Sequence, residues 1–336
     1  MTPTTQPQLI DRFGRQVTYV RMSITDRCDF RCVYCMDEEM TFMPREQLLT
    51  LEEIAYLLRA FCELGVEKVR ITGGEPLVRR NVDWLFQHIG DLKQTTALKE
   101  LNVTTNGSQL TKYSDAMVAA GVDRVNISLD SLKADRFRDL TRTGDLATVL
   151  AGIEAAKKAG FKRLKLNAVI MKGRNDDEII DLAQFALDNE MDISYIEEMP
   201  LGHVSHERKE SFYSSDDVLA ELNKVFDLQP SISKTGGPSR YYQVANSKNK
   251  IGFISPHSHN FCDTCNRVRV TTEGRLLLCL GQEHSVDLRA VIRSHPGDID
   301  RLKQAIIDSM VIKPKGHDFD LNVQPVLFRH MSVTGG

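Results

Sequence analysis

From residue 17 to about residue 200, short apolar runs alternate with segments whose apolar residues recur at helical spacing. Residues 17–24 predict a strand. Residues 51–64 predict a helix, with Thr50 and Glu53 spaced as a capping box. Strands follow at 66–71, 98–104, 122–129, 164–170 and 193–196, and helices lie between them at 82–92, 111–120, 147–159 and 177–189. Alternation at this spacing implies parallel strands with right-handed crossovers. Six such units are too few to close an eight-stranded barrel, and they suit an open partial barrel or a doubly wound sheet.

Polar residues gather just after each strand, as in Thr72-Gly73-Gly74-Glu75-Pro76, Thr105-Asn106-Gly107, Asp130-Ser131 and Lys172-Gly173-Arg174-Asn175. In parallel α/β folds the carboxyl ends of the strands are where ligands bind. The rhythm breaks between 202 and 240. Short strands at 241–244, 251–255 and 268–272 then suggest a smaller region packed on the open side of the barrel. The division expected is 11–235 for the barrel and 236–336 for the C-terminal region. By composition alone, 333–336 reads as a flexible tail.

The 41% hydrophobic and 26% charged fractions over 336 residues are those of an ordinary globular protein. A net charge of −3 argues against a general binder of nucleic acid or membrane surfaces. No apolar run is long enough to span a bilayer, and the first sixteen residues lack the apolar core of a secretory signal. The cytoplasm is the compartment expected, where cysteines stay reduced and serve metals or chemistry.

Six of the seven cysteines fall into two triads. Cys28, Cys32 and Cys35 form C-x3-C-x2-C after the first strand, and Cys262, Cys265 and Cys279 form C-x2-C-x13-C. Cys62 sits alone among apolar neighbours and reads as core. Thiolates suit zinc and iron–sulfur clusters. Structural zinc takes four ligands, and no histidine lies near the first triad. Three thiolates on a four-iron cluster leave one iron open to a small molecule, which points to catalysis. For the second triad, His257 or His259 could complete a zinc site, so both metals stay open there on spacing alone.

The first triad, with Tyr34 before its last cysteine, resembles the signature of radical S-adenosylmethionine enzymes, and Gly73-Gly74-Glu75-Pro76 matches their methionine-binding motif. Further segments resemble the GTP 3′,8-cyclase family of molybdenum cofactor biosynthesis. They are Arg21-x-Ser23-x-Thr25-Asp26-x-Cys28, Thr104-Thr105-Asn106-Gly107, Asn126-Ile127-Ser128-Leu129-Asp130, Lys165-Leu166-Asn167, Cys265-Asn266-Arg267-Val268-Arg269 and the terminal Gly335-Gly336. The resemblance runs from about residue 11 to 336. It departs at Thr334 and Glu198, where apolar residues are usual.

The resemblance implies a partial (β/α)6 TIM-like barrel with a smaller C-terminal α+β region carrying a second iron–sulfur cluster. It implies two [4Fe–4S] clusters, held by Cys28, Cys32 and Cys35 and by Cys262, Cys265 and Cys279, with S-adenosylmethionine at the first. Tyr34, backbone amides near Gly74, Ser128 and Met199 are the expected contacts to that cofactor. Arg21, Arg70, Thr104, Lys165, Arg267, Val268 and Arg269 are expected at GTP. The chemistry implied is removal of the 3′ hydrogen of GTP by a 5′-deoxyadenosyl radical, then closure onto C8 of guanine. An external one-electron reductant and a downstream pyranopterin-forming enzyme are the implied partners, and a homodimer is allowed. The Gly-Gly tail is implied to enter the active site, with its carboxylate near an arginine such as Arg21.

Independently of the resemblance, Arg267 and Arg269 alternate along a strand and so face one side, which suits an anionic ligand. Two rival readings remain: radical chemistry on a peptide, and a zinc-stabilised nucleotide-binding protein without catalysis. Lys157, Lys158 and Lys162 read as a solvated helix end.

Overall fold

The computed structural model describes residues 8–233, 236–321 and 329–335. Six parallel strands carry the first part of the chain: β1 (Tyr19–Ser23), β2 (Lys68–Thr72), β3 (Glu100–Thr105), β4 (Arg124–Ser128), β5 (Leu164–Ile170) and β6 (Asp192–Glu197). The helices between them are α1 (Leu51–Glu63), α2 (Val82–Asp91), α3 (Leu110–Ala119), the pair α4 (Ala134–Thr141) and α5 (Leu146–Ala159), and α6 (Ile179–Asp188). The capping box on α1 is formed, with Glu53 N–H donating to Thr50 Oγ1 at 3.2 Å and Thr50 N–H to Glu53 Oε2 at 2.8 Å.

Alternation along these strands sorts side chains between two environments. Val20, Met22, Val69, Ile71, Val103, Val125 and Ile127 are buried in the hydrophobic core. Ile54, Leu57, Leu58 and Phe61 of α1 belong to the same core, as does Cys62, in agreement with its sequence reading. The intervening positions, among them Tyr19, Arg21, Arg70, Thr104, Asn126 and Lys165, line the concave side. That side is polar and cationic, where a closed barrel would pack aliphatic layers.

Short helices α7 (Arg208–Ser211) and α8 (Ser215–Leu222) lead to β7 (Leu228–Ser231), β8 (Arg240–Val244), β9 (Lys250–Ile254), β10 (Arg267–Val270), β11 (Arg275–Leu277) and β12 (Ser285–Asp287). Helices α9 (Leu288–Ser294), α10 (Ile299–Ser309) and α11 (Met331–Thr334) complete the elements. The strands form one twelve-stranded sheet in the order β12-β11-β10-β1-β2-β3-β4-β5-β6-β9-β8-β7. The smaller region expected on the open side of the barrel joins the sheet itself. β10 pairs in parallel with β1 and β9 in parallel with β6, so the later strands extend both edges of the barrel sheet. An open sheet leaves unpaired N–H and C=O groups at each edge, and these strands satisfy them.

The tail is also corrected. Residues 331–334 form α11, and Ser332, Val333 and Thr334 are buried. Gly336, and with it the expected carboxylate contact to Arg21, lies outside the described residues.

Candidate active site

The first triad lies on the loop after β1. Cys35 N–H donates to Cys32 O at 3.0 Å, and Phe30 N–H reaches Cys28 Sγ at 3.3 Å. Arg31 N–H and Val33 N–H donate to Thr141 O and Leu140 O, which pins the loop to the end of α4. Glu75 staples the neighbouring loop: its carboxylate accepts from Thr105 Oγ1 at 2.8 Å, Asn106 N–H at 2.6 Å and Leu77 N–H at 2.9 Å. Burial, and then Glu75, push the Cys28 thiol up; burial raises Cys35 to about 12 and Cys32 well above its ordinary value. Neutral thiols are thus the state of the cluster-free loop, and binding a metal there must displace protons.

Tyr34 Oη donates to Asp130 Oδ2 at 2.7 Å, and Asp130 Oδ1 accepts from Val169 N–H at 2.8 Å. Burial raises the Asp130 carboxyl to about 6. Ser128, Met199, Tyr34 and Gly74 line the same cavity as the triad. The Gly74 N–H, expected to meet a methionyl group, donates instead to Thr25 O at 2.7 Å. A Cβ on Gly74 would lie 2.4 Å from Arg27 O, so glycine serves the close approach of the two loops. Contact with an amine at this loop falls to its carbonyls.

The basic residues are set in register across three strands. Arg269 of β10 stands opposite Arg21 of β1, and Arg21 opposite Arg70 of β2. Like charges directly opposite on neighbouring strands repel. Burial, and then Arg269, hold the Arg21 guanidinium well below its ordinary pKa; burial, and then Arg267, bring Arg269 down to about 10. Burial would raise the Tyr19 phenol, yet Arg70, Arg21, Arg267 and Lys68 together lower it. Arg70 Nη1 donates to Thr104 Oγ1 at 3.1 Å, while its Nε is buried without a partner among the described residues. Lys165 Nζ donates to Tyr241 Oη at 2.9 Å. Arg269 Nη1 donates to Gly335 O, which fixes α11 beside this row. Val268 points into the core, so it meets the cavity through its backbone. This field calls for an anion.

The second triad flanks the row. Cys265 N–H donates to Cys262 O at 3.1 Å, and Cys279 lies just beyond β11. Burial would raise the Cys265 thiol, but Arg267 and Lys313 lower it. His257 Nε2 bonds Glu198 O at 3.0 Å and His259 Nε2 bonds Asp216 Oδ1 at 2.8 Å, so both histidines are engaged away from the cysteines. Among the described residues, no three His, Cys, Asp or Glu side chains converge as a single-ion site. Three soft thiol donors lining one cavity suit an iron–sulfur cluster.

Every site residue expected from the sequence borders one cavity of about 270 Å³. Residues to which the sequence reading gave no role also matter. Asp130 closes the strand-end run that begins at Ser128, and that position was a usable signal. Tyr19 shares the inward parity of Arg21. Asn106 Nδ2 holds Asp29 at 2.7 Å beside Cys28. Lys313 and Arg15 lie far away in sequence, and nothing local marks them. Glu198, a departure from the family pattern, is buried and bonds His206, Arg208 and Ser211, a local staple.

Residues 22–186 match the Radical SAM superfamily, and residues 191–319 match the family Molybdenum Cofactor Synthesis C. A relative from Saccharophagus degradans, named GTP 3′,8-cyclase, is 58% identical over 329 residues, which is 98% of each chain. A relative of the same name from Pseudomonas syringae is 59% identical over 333 residues, covering 98% of this chain and 99% of its own. Among solved structures, Streptococcus suis SuiB shares the fold at a TM-score of 0.61 and 16% identity, covering 96% of this chain and 78% of that one. With near-complete alignment at this identity, on a barrel sheet carrying both thiol triads, the chain belongs to the GTP 3′,8-cyclase family of radical S-adenosylmethionine enzymes.

Proposed function

We infer that this chain converts GTP to (8S)-3′,8-cyclo-7,8-dihydroguanosine 5′-triphosphate in molybdenum cofactor biosynthesis, using two [4Fe–4S] clusters. The observation that carries this reading is the in-register row Arg269, Arg21 and Arg70, set in the cavity that both thiol triads border. When bound, the reduced first cluster with S-adenosylmethionine supplies a 5′-deoxyadenosyl radical able to remove the 3′ hydrogen of GTP.

The rest is the work of this chain's residues. Cys28, Cys32 and Cys35 hold the first cluster. Tyr34, oriented by Asp130, and Met199 would pack against the adenine, while Ser128 would meet the ribose or carboxylate and the Gly74 loop the methionyl end. Arg21, Arg70, Lys165, Arg267 and Arg269 hold the triphosphate by charge-assisted hydrogen bonds, with Thr104 and the Val268 backbone beside them. Cys262, Cys265 and Cys279 would hold the second cluster, which would supply a binding point for guanine. Fixing ribose and base against the radical source, and keeping out other hydrogen donors, is what the protein adds. The electron comes from an external reductant, and the product passes to a pyranopterin-forming enzyme.

The peptide-modifying alternative shares the fold of SuiB, but the arginine row lining the cavity favours a polyphosphate over a peptide. Anaerobic iron and sulfide analysis with GTP turnover tests the reading. About eight irons per chain and a cyclised dihydro-GTP product are expected. Zinc without iron, or radical formation without any nucleotide product, would end it.

A further inference from the structure

Lys313 follows α10 and is 1% exposed. Its ammonium donates to Leu278 O at 2.7 Å and Arg267 O at 3.0 Å, and lies 3.9 Å from Cys265 Sγ. One cation thus ties the residue before Cys279, the start of β10 and the thiol of Cys265. Arg15 braces the adjoining strap: its Nη1 donates to Cys262 O at 2.7 Å and Lys315 O at 2.6 Å, and its Nη2 to Pro314 O at 2.6 Å. Gly316 of the strap lies against Cys262, where an added Cβ would sit 3.4 Å from its Sγ.

The charges around this strap do not balance in the same way. Arg15 pairs with Asp11 at 2.6 Å. Among the described residues, Lys313 has carbonyl and thiol partners but no ion-pair partner. A buried ammonium without an anion is costly. Three thiolates around an iron–sulfur cluster would provide that anion.

We propose that Lys313 is a positioning residue for the second cluster, offsetting its negative charge and holding Cys265 and Cys279 at cluster spacing. The proposal rests on the two-cluster reading above. A cation beside a cluster favours the reduced, more negative state. Removing it therefore makes the second cluster harder to reduce and leaves the first, across the cavity, unchanged.

The test uses anaerobically reconstituted holoenzyme, Lys313→Gln and Lys313→Arg. Gln keeps an N–H donor for the carbonyls without the charge, and Arg keeps the charge. Each is titrated with reductant under EPR, with and without S-adenosylmethionine, whose addition marks the first cluster. At the wild-type midpoint, the reduced-to-oxidised ratio of the second cluster should fall about tenfold in Lys313→Gln, about 59 mV for one electron. Lys313→Arg should recover most of this, with the first-cluster signal unchanged in both. Loss of the second cluster in Gln with retention in Arg supports the same assignment. Loss in both variants, or an unshifted midpoint in Gln, overturns the role of Lys313 and leaves two clusters standing in wild type. About four irons in wild type, where about eight are expected, overturns the two-cluster reading and this proposal with it.

Discussion

The two thiol triads share one cavity but sit in opposite fields. Acidic side chains flank the first: Asp29 and Glu75 lie by Cys28, and Asp130 acts on Cys32 and Cys35. Cations surround the second, where Arg267 and Lys313 overcome burial to lower Cys265. A sulfonium cofactor carries positive charge and a nucleoside triphosphate carries negative charge. Equal donor sets can therefore be assigned different ligands from their neighbours, which the spacing of the cysteines alone does not reveal.

The sharpest way to break this comparison is to remove one thiol from each end. Cys28→Ala should abolish cleavage of S-adenosylmethionine. Cys265→Ala should leave some uncoupled cleavage and stop GTP conversion. Chromatography of 5′-deoxyadenosine and of nucleotide product reads both; equal loss of cleavage in the two variants would erase the division of labour.

Next in size is the tail at the basic end. Gly335 has φ +79°, and a Cβ there would lie 1.9 Å from Thr72 Oγ1. Gly335→Ala must push α11 off the arginine row, and deleting Gly335 and Gly336 removes the Arg269 contact outright. Cyclisation should be lost in both while iron content, circular dichroism and S-adenosylmethionine binding stay as in wild type. Full-rate cyclisation by the truncated chain would show the tail to be dispensable.

Arginine substitutions divide the two ligands. Arg267→Ala and Arg269→Ala should each weaken GTP binding by about 2–3 kcal/mol, roughly a hundredfold. S-adenosylmethionine affinity should barely move. Calorimetry with both ligands decides, and matched losses would make the pair structural.

The smallest effect concerns the acidic end. Burial, opposed by the Asn106 and Leu77 N–H groups, raises the Glu75 carboxyl to about 8 from an ordinary 4.5. The folded, cluster-free protein keeps that proton where the unfolded chain has lost it. Its stabilising contribution is full below about pH 4.5 and is lost as pH rises through about 8. Glu75→Gln should flatten this slope, so that the variant gains on wild type by at least about 1 kcal/mol between pH 5 and 8. Urea denaturation of both proteins across that range measures it, and parallel curves would place the Glu75 carboxyl at its ordinary value.

Much of the fold was legible in residue order. The β/α rhythm, the α1 capping box and the apolar outward positions are local patterns, and each of the nine expected strands formed within a few residues of its place. Strands β7, β11 and β12 and helices α4, α7, α8, α9, α10 and α11 were passed over. α10 holds its place partly through Lys303 pairing with Glu63 of α1, a contact between residues far apart in sequence. The edge pairing of β9 and β10 was also hidden, because an unsatisfied sheet edge is a property of the assembled sheet.

The sequence by itself determined which side chains can ligate iron, which loops follow strands and which strand presents two arginines on one face, because spacing and period are local. Only the tertiary structure decided that Arg269, Arg21 and Arg70 stand side by side, that the Gly74 N–H is already taken, and that Lys313 and Arg15 close over the second triad. Those facts depend on the register between β1, β2 and β10 and on contacts spanning most of the chain, where charge and burial are set by neighbours that no local pattern names.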